Sequence, residues 1–438
     1  MSKPAEESPL LDAIVDQFMQ RVKALWEAST QDASLTLEDL ETRVQALGRE
    51  VLGAVLSEAV RRVPEPRPQT CDCGRRLRAK GRQKRQQETR VGALHWQREY
   101  YYCRHCRRGH YPLDERLEIA PGAFSASLQE EMALLGASAG SYPQAAALCA
   151  KLWQTGVSAK STERVTKRRG ARLGAARQGE AERLLAGEQP LPRAPEAGAP
   201  SPSHWAVGLD GVKVHFRDDW HEVVAGVVYG VGPQGRGVGP SYVATTAGLA
   251  AAGQGLYAET VRRGIDASQE RLGCLGDGAP GNWRQFAEHF PHREEILDWY
   301  HAVEHLWGVG RALYGEGSDA AREWVKAREG ELWAGRPEAV LAALEAASGQ
   351  HPGGEVAAHE QGYFTTNAER MRYDRYRAEG WPIGSGTVES ACKCLVAARL
   401  KGPGMRWSPE GAQAVLNLRV ELRSGRWDEG WALTRSPA

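Results

Sequence analysis

Apolar residues recur at helical spacing through the first sixty positions, with Leu11, Ile14, Val15, Phe18, Met19 and Val22 on one stripe and Leu40, Val44, Leu47 and Val51 on a second. The pattern predicts helices over residues 10–62. The second stripe has the alternating four-and-three spacing of a coiled-coil seam but spans only about two heptads, so packing on its own domain is the expectation and a short coiled coil the alternative. Pro64, Pro66 and Pro68 end the pattern. Ala93–Tyr102 then reads as a strand, and helical spacing returns from Ser125 to Leu185, broken at Gly156. Thr162, Arg164, Lys167, Arg168 and Arg169 lie on the second of these helices. The pair reads equally as a helix-turn-helix and as a helical connector with solvated charges.

The segment Gln189–Pro202 is too rich in proline, glycine and alanine to build regular structure, and it predicts a linker. After it come three strand-like runs, Trp205–Leu209, Val212–Phe216 and Glu222–Tyr229, which read as an antiparallel meander with turns at Asp210-Gly211 and Arg217-Asp218-Asp219. Helix over Leu256–Arg263, strand over Leu272–Leu275, helix over Asn282–His289 and strand at Ile296-Leu297 follow, predicting α/β alternation. The pattern is then helical over His301–Ala347 and Val356–Arg377, and a last helix starts after Gly384-Ser385-Gly386.

The chain has 438 residues and 42% hydrophobic content, enough for several packed domains, and its formal net charge of +1 does not choose a partner. Local charge is more informative. Between Arg61 and Arg108 there are 15 Lys and Arg against 4 Asp and Glu, interleaved with Trp96, Tyr100, Tyr101 and Tyr102, a pattern suited to nucleic acid. No signal-peptide layout or membrane-length apolar run occurs, so a soluble, cytoplasmic, nucleoid-associated protein without a membrane partner is expected. Eight cysteines without a secretion signal argue for metal rather than disulfides. Cys71-x-Cys73 and Cys103-x-x-Cys106 offer four thiolates for a structural zinc ion, although the first pair is a residue short of the usual spacing and His105 or His110 are alternative ligands. Cys149, Cys274, Cys392 and Cys394 read as small apolar side chains.

Three carboxylates stand beside small residues where elements end: Asp210 in Val-Gly-Leu-Asp-Gly, Asp277 in Leu-Gly-Asp-Gly-Ala and Glu389 in Gly-Ser-Gly-Thr-Val-Glu. Hard divalent cations prefer such oxygens, and two ions about 4 Å apart serve phosphoryl transfer. Each residue also has a plainer reading, as a hairpin turn, a strand-exit turn and a helix-start acid respectively. Further on, Arg399, Lys401, Arg406 and Trp407 form a basic stretch that could meet phosphates and stack on a base.

In this order and setting, the sequence from Trp205 to Arg419 resembles the RNase H-like DDE transposases of bacterial insertion sequences, particularly those related to the Mutator-like group. The Asp277–Glu389 interval, 389 − 277 = 112 positions, fits the form with a helical insertion, and Asp298-Trp299-Tyr300-His301 matches a further family element. The resemblance implies an α/β RNase H-like core with a long helical insertion, preceded by a helical N-terminal region and a small zinc-ribbon-like module. It implies catalytic Asp210, Asp277 and Glu389 holding two Mg²⁺ (or Mn²⁺) ions, with Asp298 and His301 in support. Double-stranded DNA, as element ends and target, would be the partner, contacted by Arg399, Lys401, Arg406, Trp407, Arg104, Arg107 and Arg108, and a homo-oligomer would form when two ends are brought together. The expected segments are 1–66 helical, 67–116 zinc-ribbon-like, 117–188 helical, 189–203 linker, 204–309 first part of the core, 310–378 insertion, 379–425 the Glu-bearing helix with its basic segment, and 426–438 a tail. A transposase-derived DNA-binding protein that no longer cuts, and an RNase H-like nuclease, are the alternatives.

Overall fold

A computed structural model describes residues 9–31, 34–188, 202–349 and 353–435. It is a mixed α/β structure with two sheets, divided into two compact units, residues 1–136 with 141–165 and residues 137–140 with 166–438. Residues 189–201 of the expected linker lie outside the described residues.

The first unit begins with helices α1 (Pro9–Gln31) and α2 (Leu37–Arg62), the latter opened by a Thr36/Asp39 capping box. Their apolar stripes are not buried as expected: Val15 is 50% exposed, Met19 46% and Val44 55%. The reason is geometric, because α2 packs on the neighbouring sheet only through its C-terminal half, where Gly53, Ser57 and Val60 are buried. That sheet has the order β1 (Arg78–Thr89), β2 (Gly92–Tyr102) and β3 (Gly109–His110), all antiparallel. From Leu94 to Arg98 burial alternates strictly: Leu94, Trp96 and Arg98 are buried, while His95 and Gln97 are exposed. Leu94 and Trp96 join Val60 and Leu113 in a small core. Helices α3 (Pro112–Arg116), α4 (Ala126–Ser138) and α5 (Tyr142–Trp153) follow.

Helix α6 (Ala159–Leu185) starts after the predicted break around Gly156, and from Thr166 onward it groups with the second unit. There Asn417 donates to the Gly170 carbonyl at 3.0 Å. Arg169 is not a solvated charge, since it is buried and donates to the Thr434 carbonyl at 2.8 Å.

The second unit is built on an open five-stranded sheet in the order β6-β5-β4-β7-β8, comprising β4 (His204–His215), β5 (Trp220–Val231), β6 (Gly237–Thr245), β7 (Leu272–Gly276) and β8 (Arg293–Leu297). Strands β4, β5 and β6 run antiparallel, while β7 lies parallel to β4 and β8 to β7. β5 is buried continuously from Val223 to Val231, which marks it as a strand covered on both faces. Helices α7 (Leu249–Arg262) and α8 (Pro280–His289) alternate with the strands, and α9 (Trp299–Tyr314), α10 (Asp319–Trp333), α11 (Pro337–Ser348), α12 (Gly354–Asn367) and α13 (Tyr373–Ala378) form the long helical stretch. Then come α14 (Gly386–Ala391), a π-helical turn over Cys392–Ala397, and α15 (Ala398–Leu400), α16 (Pro409–Arg423) and α17 (Trp427–Leu433).

Two further expectations are corrected. Asp210-Gly211 is not a turn: the ladder runs unbroken through Leu209↔Gly226, Asp210↔Ala225 and Gly211↔Val224, so the first two predicted strands are one. The chain turns instead at 216–219, where the Phe216 N–H donates to the Asp219 carbonyl at 2.8 Å. Nor are residues 426–435 a tail. Trp431 is buried, and Arg426 is buried between Glu259 and Glu421, two carboxylates that anchor it to the unit. Among the described residues no helix is long and apolar enough to cross a membrane.

Candidate functional site

The four N-terminal cysteines converge. Two tight turns present them, one closed by the Cys71 N–H to the Arg75 carbonyl (2.8 Å) and the other by the Cys103 N–H to the Arg108 carbonyl (2.9 Å). The short Cys71-x-Cys73 spacing suffices because Gly74, with φ of +76°, reverses the chain directly behind it. All four thiol sulfurs lie within 4.8 Å of one another, and the Cys71–Cys106 and Cys73–Cys103 separations are 3.6 Å. That is far beyond a disulfide bond and close to the edge of a tetrahedron with metal–sulfur distances of about 2.3 Å. The backbone N–H of Cys106 pulls the Cys103 thiol down to about 6 despite the burial that opposes it, which favours the thiolate that ligation needs. The cluster could therefore hold a metal ion such as zinc. His110 stands outside it, with Nε2 3.4 Å from Cys71 Sγ.

The carboxylates are organised differently. β4 and β7 pair in parallel up to Gly208↔Leu275, and Asp210 and Asp277 each lie two positions beyond that pair (210 − 208 and 277 − 275), where the parallel ladder has stopped and the charge of Asp277 acts on Asp210. Asn282 spans the gap, its Nδ2 donating to Asp277 Oδ1 (3.1 Å) and to the Leu209 carbonyl (3.4 Å). Burial pushes the Asp210 carboxyl up, and the charge of Asp277 adds to the push. Such a pair of like charges suits a cation. Helix α14 rests on the same strand, because Val388 occupies the space where any side chain at position 208 would stand. Cys392, one turn after Glu389, places its thiol 3.3 Å from Asp210 Oδ2, and that thiol is pushed upward by burial and by the charges of Asp210 and Glu389. Glu389 itself is 41% exposed and pairs with Lys393 at 3.2 Å. Among the described residues, the cysteines are the group of three or more potential ligands drawn close enough for an ion, and the three carboxylates are not gathered in that way.

Residues 31–185 match the model of an uncharacterised protein family, UPF0236. The match takes in the cysteine cluster and stops before Asp210. No curated protein matches the chain.

Asp298 and His301 adjoin the carboxylates. Asp298 is fully buried at the start of α9 and accepts from His301 Nδ1 (2.8 Å), Ser385 N–H (2.9 Å) and Ser385 Oγ (2.8 Å). It thereby fixes the entry to the helix that carries Glu389. The bond to Asp298 pushes His301 up to about 9, with Asp277 contributing, so the imidazole is positively charged at neutral pH. Tyr363 adds a second hold on Asp277 by donating to its main-chain carbonyl at 3.0 Å.

The basic stretch after Glu389 divides in two. Lys401 and Arg406 are exposed, whereas Arg399 is buried with its guanidinium over the Trp407 ring, and Trp407 is buried with its indole N–H on the Leu400 carbonyl. The expected phosphate contact by Arg399 and base stacking by Trp407 are thus corrected, since the two side chains bury each other. Arg104, Arg107 and Arg108 are exposed on the second cysteine turn. Sequence reasoning missed Cys392, Asn282, Ser385 and Tyr363. Cys392 had a signal, because three residues after Glu389 it falls on the same helix face.

Proposed function

We propose that this chain is a DNA transposase with an RNase H-like core and a zinc-ribbon-like module, whose Asp210, Asp277 and Glu389 hold divalent cations for DNA cleavage and strand transfer. The observation that carries the reading is the in-register placement of Asp210 and Asp277 at the end of the β4–β7 pair, with the Glu389-bearing helix lying across the same strand. The strand order, three antiparallel strands followed by two parallel ones with the helical stretch before the last acid, supports it. So does the family resemblance of the sequence from Trp205 to Arg419.

The donor set fits magnesium: all three groups are hard oxygens, and Asp210 carries an electrostatic penalty that a cation would relieve. Bound ions would activate the attacking oxygen and stabilise the leaving one. The protein's own residues do the rest. Asn282 and Tyr363 orient Asp277, Cys392 and the Gly211 N–H orient Asp210, and Asp298 with Ser385 sets the start of the Glu389 helix. His301, charged at neutral pH, is placed to attract a phosphate. Duplex DNA is the substrate in this reading, and joining two ends calls for more than one copy of the chain.

A second reading, a transposase-derived DNA-binding protein that does not cut, is favoured by one observation: Glu389 is paired with Lys393 rather than turned onto the aspartates. The test is Mg²⁺-dependent cleavage of duplexes carrying the DNA that flanks the gene. Asp210→Asn, Asp277→Asn and Glu389→Gln should each reduce cleavage by roughly 10³-fold or more while leaving binding intact. Binding without cleavage by the unaltered protein would establish the second reading instead.

A further inference from the structure

The β1–β2 hairpin of the first unit carries a surface that the cysteine cluster and the carboxylates leave unused. Cross-strand partners share a face of a hairpin, so Arg82↔Glu99, Lys84↔Gln97 and Gln86↔His95 project on one side, and Arg85↔Trp96 and Gln83↔Arg98 on the other. The second side is anchored: Trp96 is buried, and Asp114 pairs with both Arg85 and Arg98. The first side is open. Arg82, Lys84, Gln86, His95 and Gln97 are all exposed.

Helix α2 and the segment that follows it close one flank of this face. Ser57 Oγ accepts the His95 N–H (3.0 Å), and Glu65 accepts that of Glu99 (2.6 Å), so the free edge of β2 is covered and cannot recruit another strand. What is left is a groove of about 500 Å³ lined by Arg61, Arg82, Lys84, His95 and Gln97 together with Arg85 and Trp96 of the anchored side, with no acidic residue among the described residues that line it. Arg61 and Arg82 have Glu58 and Glu65 as partial partners. Lys84 and its strand neighbours Arg78 and Lys80 are exposed cations. Two acids share the parity of the open face, Glu99 and Glu88, and both are half-buried.

We propose that this open face of the β1–β2 ribbon is a base-reading surface that enters the major groove of duplex DNA, with Arg82, Lys84, His95 and Gln97 facing the base edges and Arg61 on a flanking phosphate. The inference rests on DNA being the partner of this chain, and it adds which surface reads sequence. A two-stranded ribbon fits a groove about 12 Å wide. Same-face neighbours on a strand are about 6.6 Å apart, close to two base-pair steps of about 3.4 Å. Arginine and lysine suit the guanine edge and glutamine the adenine edge. An acidic protein segment would use the cations but would gain little from the amide and the imidazole, which is why DNA is the better match.

The experiment is selection from a duplex pool with a randomised core of about 20 base pairs, using the full-length, zinc-loaded protein, followed by titration at several salt concentrations. Gln97→Ala and His95→Ala should lose preference at one or two base positions, weaken binding to the selected duplex about ten-fold, and leave binding to random duplex unchanged. Lys84→Ala and Arg82→Ala should weaken binding to both and lower the salt slope by about 1. Arg104→Ala should weaken both duplexes and leave the selected sequence the same. Unchanged base preference in both Gln97→Ala and His95→Ala would overturn the inference, provided zinc content shows the module folded; so would binding to polyglutamate but not to duplex. The same selection in the Asp210→Asn background should return the same sequence. Intact selection without Mg²⁺-dependent cleavage would count against the catalytic reading alone.

Discussion

The two candidate metal centres are opposites in how far the polypeptide alone assembles them. Four thiols on two short turns meet within 4.8 Å, whereas three carboxylates brought from β4, the end of β7 and α14 stay apart. Charge explains the difference. Thiols are small and, while protonated, neutral, so they pack into a partly buried cluster even with Cys103 held down to about 6 as a thiolate. Carboxylates at neutral pH repel one another, and Asp210 already sits above its usual range from burial and the neighbouring Asp277. A structural centre can be closed before its ion arrives, whereas the proposed carboxylate centre, if it admits a substrate phosphate, has to stay open and keep its charges in tension.

The sharpest way to break this comparison is to remove the cysteine ligands. Structural zinc sites contribute on the order of 10 kcal/mol to folding. Cys103→Ser should therefore abolish zinc binding and unfold the β1–β2 ribbon, seen as lost amide-exchange protection there; retained protection without metal would show that the hydrophobic contacts around Trp96 suffice. A smaller effect is expected at the carboxylates' support. Asp298→Ala strands the Ser385 donors and His301 and should cost about 3 kcal/mol in denaturant unfolding. Asp298→Asn, which keeps the shape, should cost less, and equal costs would mean that the negative charge is irrelevant.

The smallest effect is in pH. His301 is held up to about 9, chiefly by Asp298, above its unfolded value of about 6.5. Its charged form therefore stabilises the fold in full below about pH 6.5, and that contribution is lost as pH rises through 9. The side chain is 39% exposed, so solvent screening limits the change to about 1 kcal/mol. His301→Gln should flatten this part of the stability profile, and an unchanged slope would assign it to another group.

Much of this was legible in the sequence where local pattern and tertiary structure agree. The strict alternation around Trp96, the strand before Asp277 and the helix after Gly384-Ser385-Gly386 all follow from period and from the glycine-rich entry, although Ser385 gives its hydroxyl to Asp298 rather than to a cap. Legibility failed where a distant partner decides. Asp210-Gly211 has hairpin chemistry, yet β5 pairs straight through it, so the ladder overrides the turn. Arg399 and Trp407 look like a nucleic-acid surface by composition, but each supplies the other's partner and both leave the surface. The apolar stripe of α1 looks like a core face, but a pair of helices cannot cover it completely. Cys392 reads as an apolar filler until the strand that bears Asp210 is placed against its helix.

The central claim is that Asp210, Asp277 and Glu389 form one cation site. Anomalous scattering from crystals grown with Mn²⁺ tests it most directly. The account predicts a peak bridging Asp210 and Asp277 at about 2.2 Å from an oxygen of each, with Glu389 turned from Lys393 onto the ion or onto a second one beside it. Manganese found elsewhere, or none at these aspartates at millimolar concentration, would contradict it.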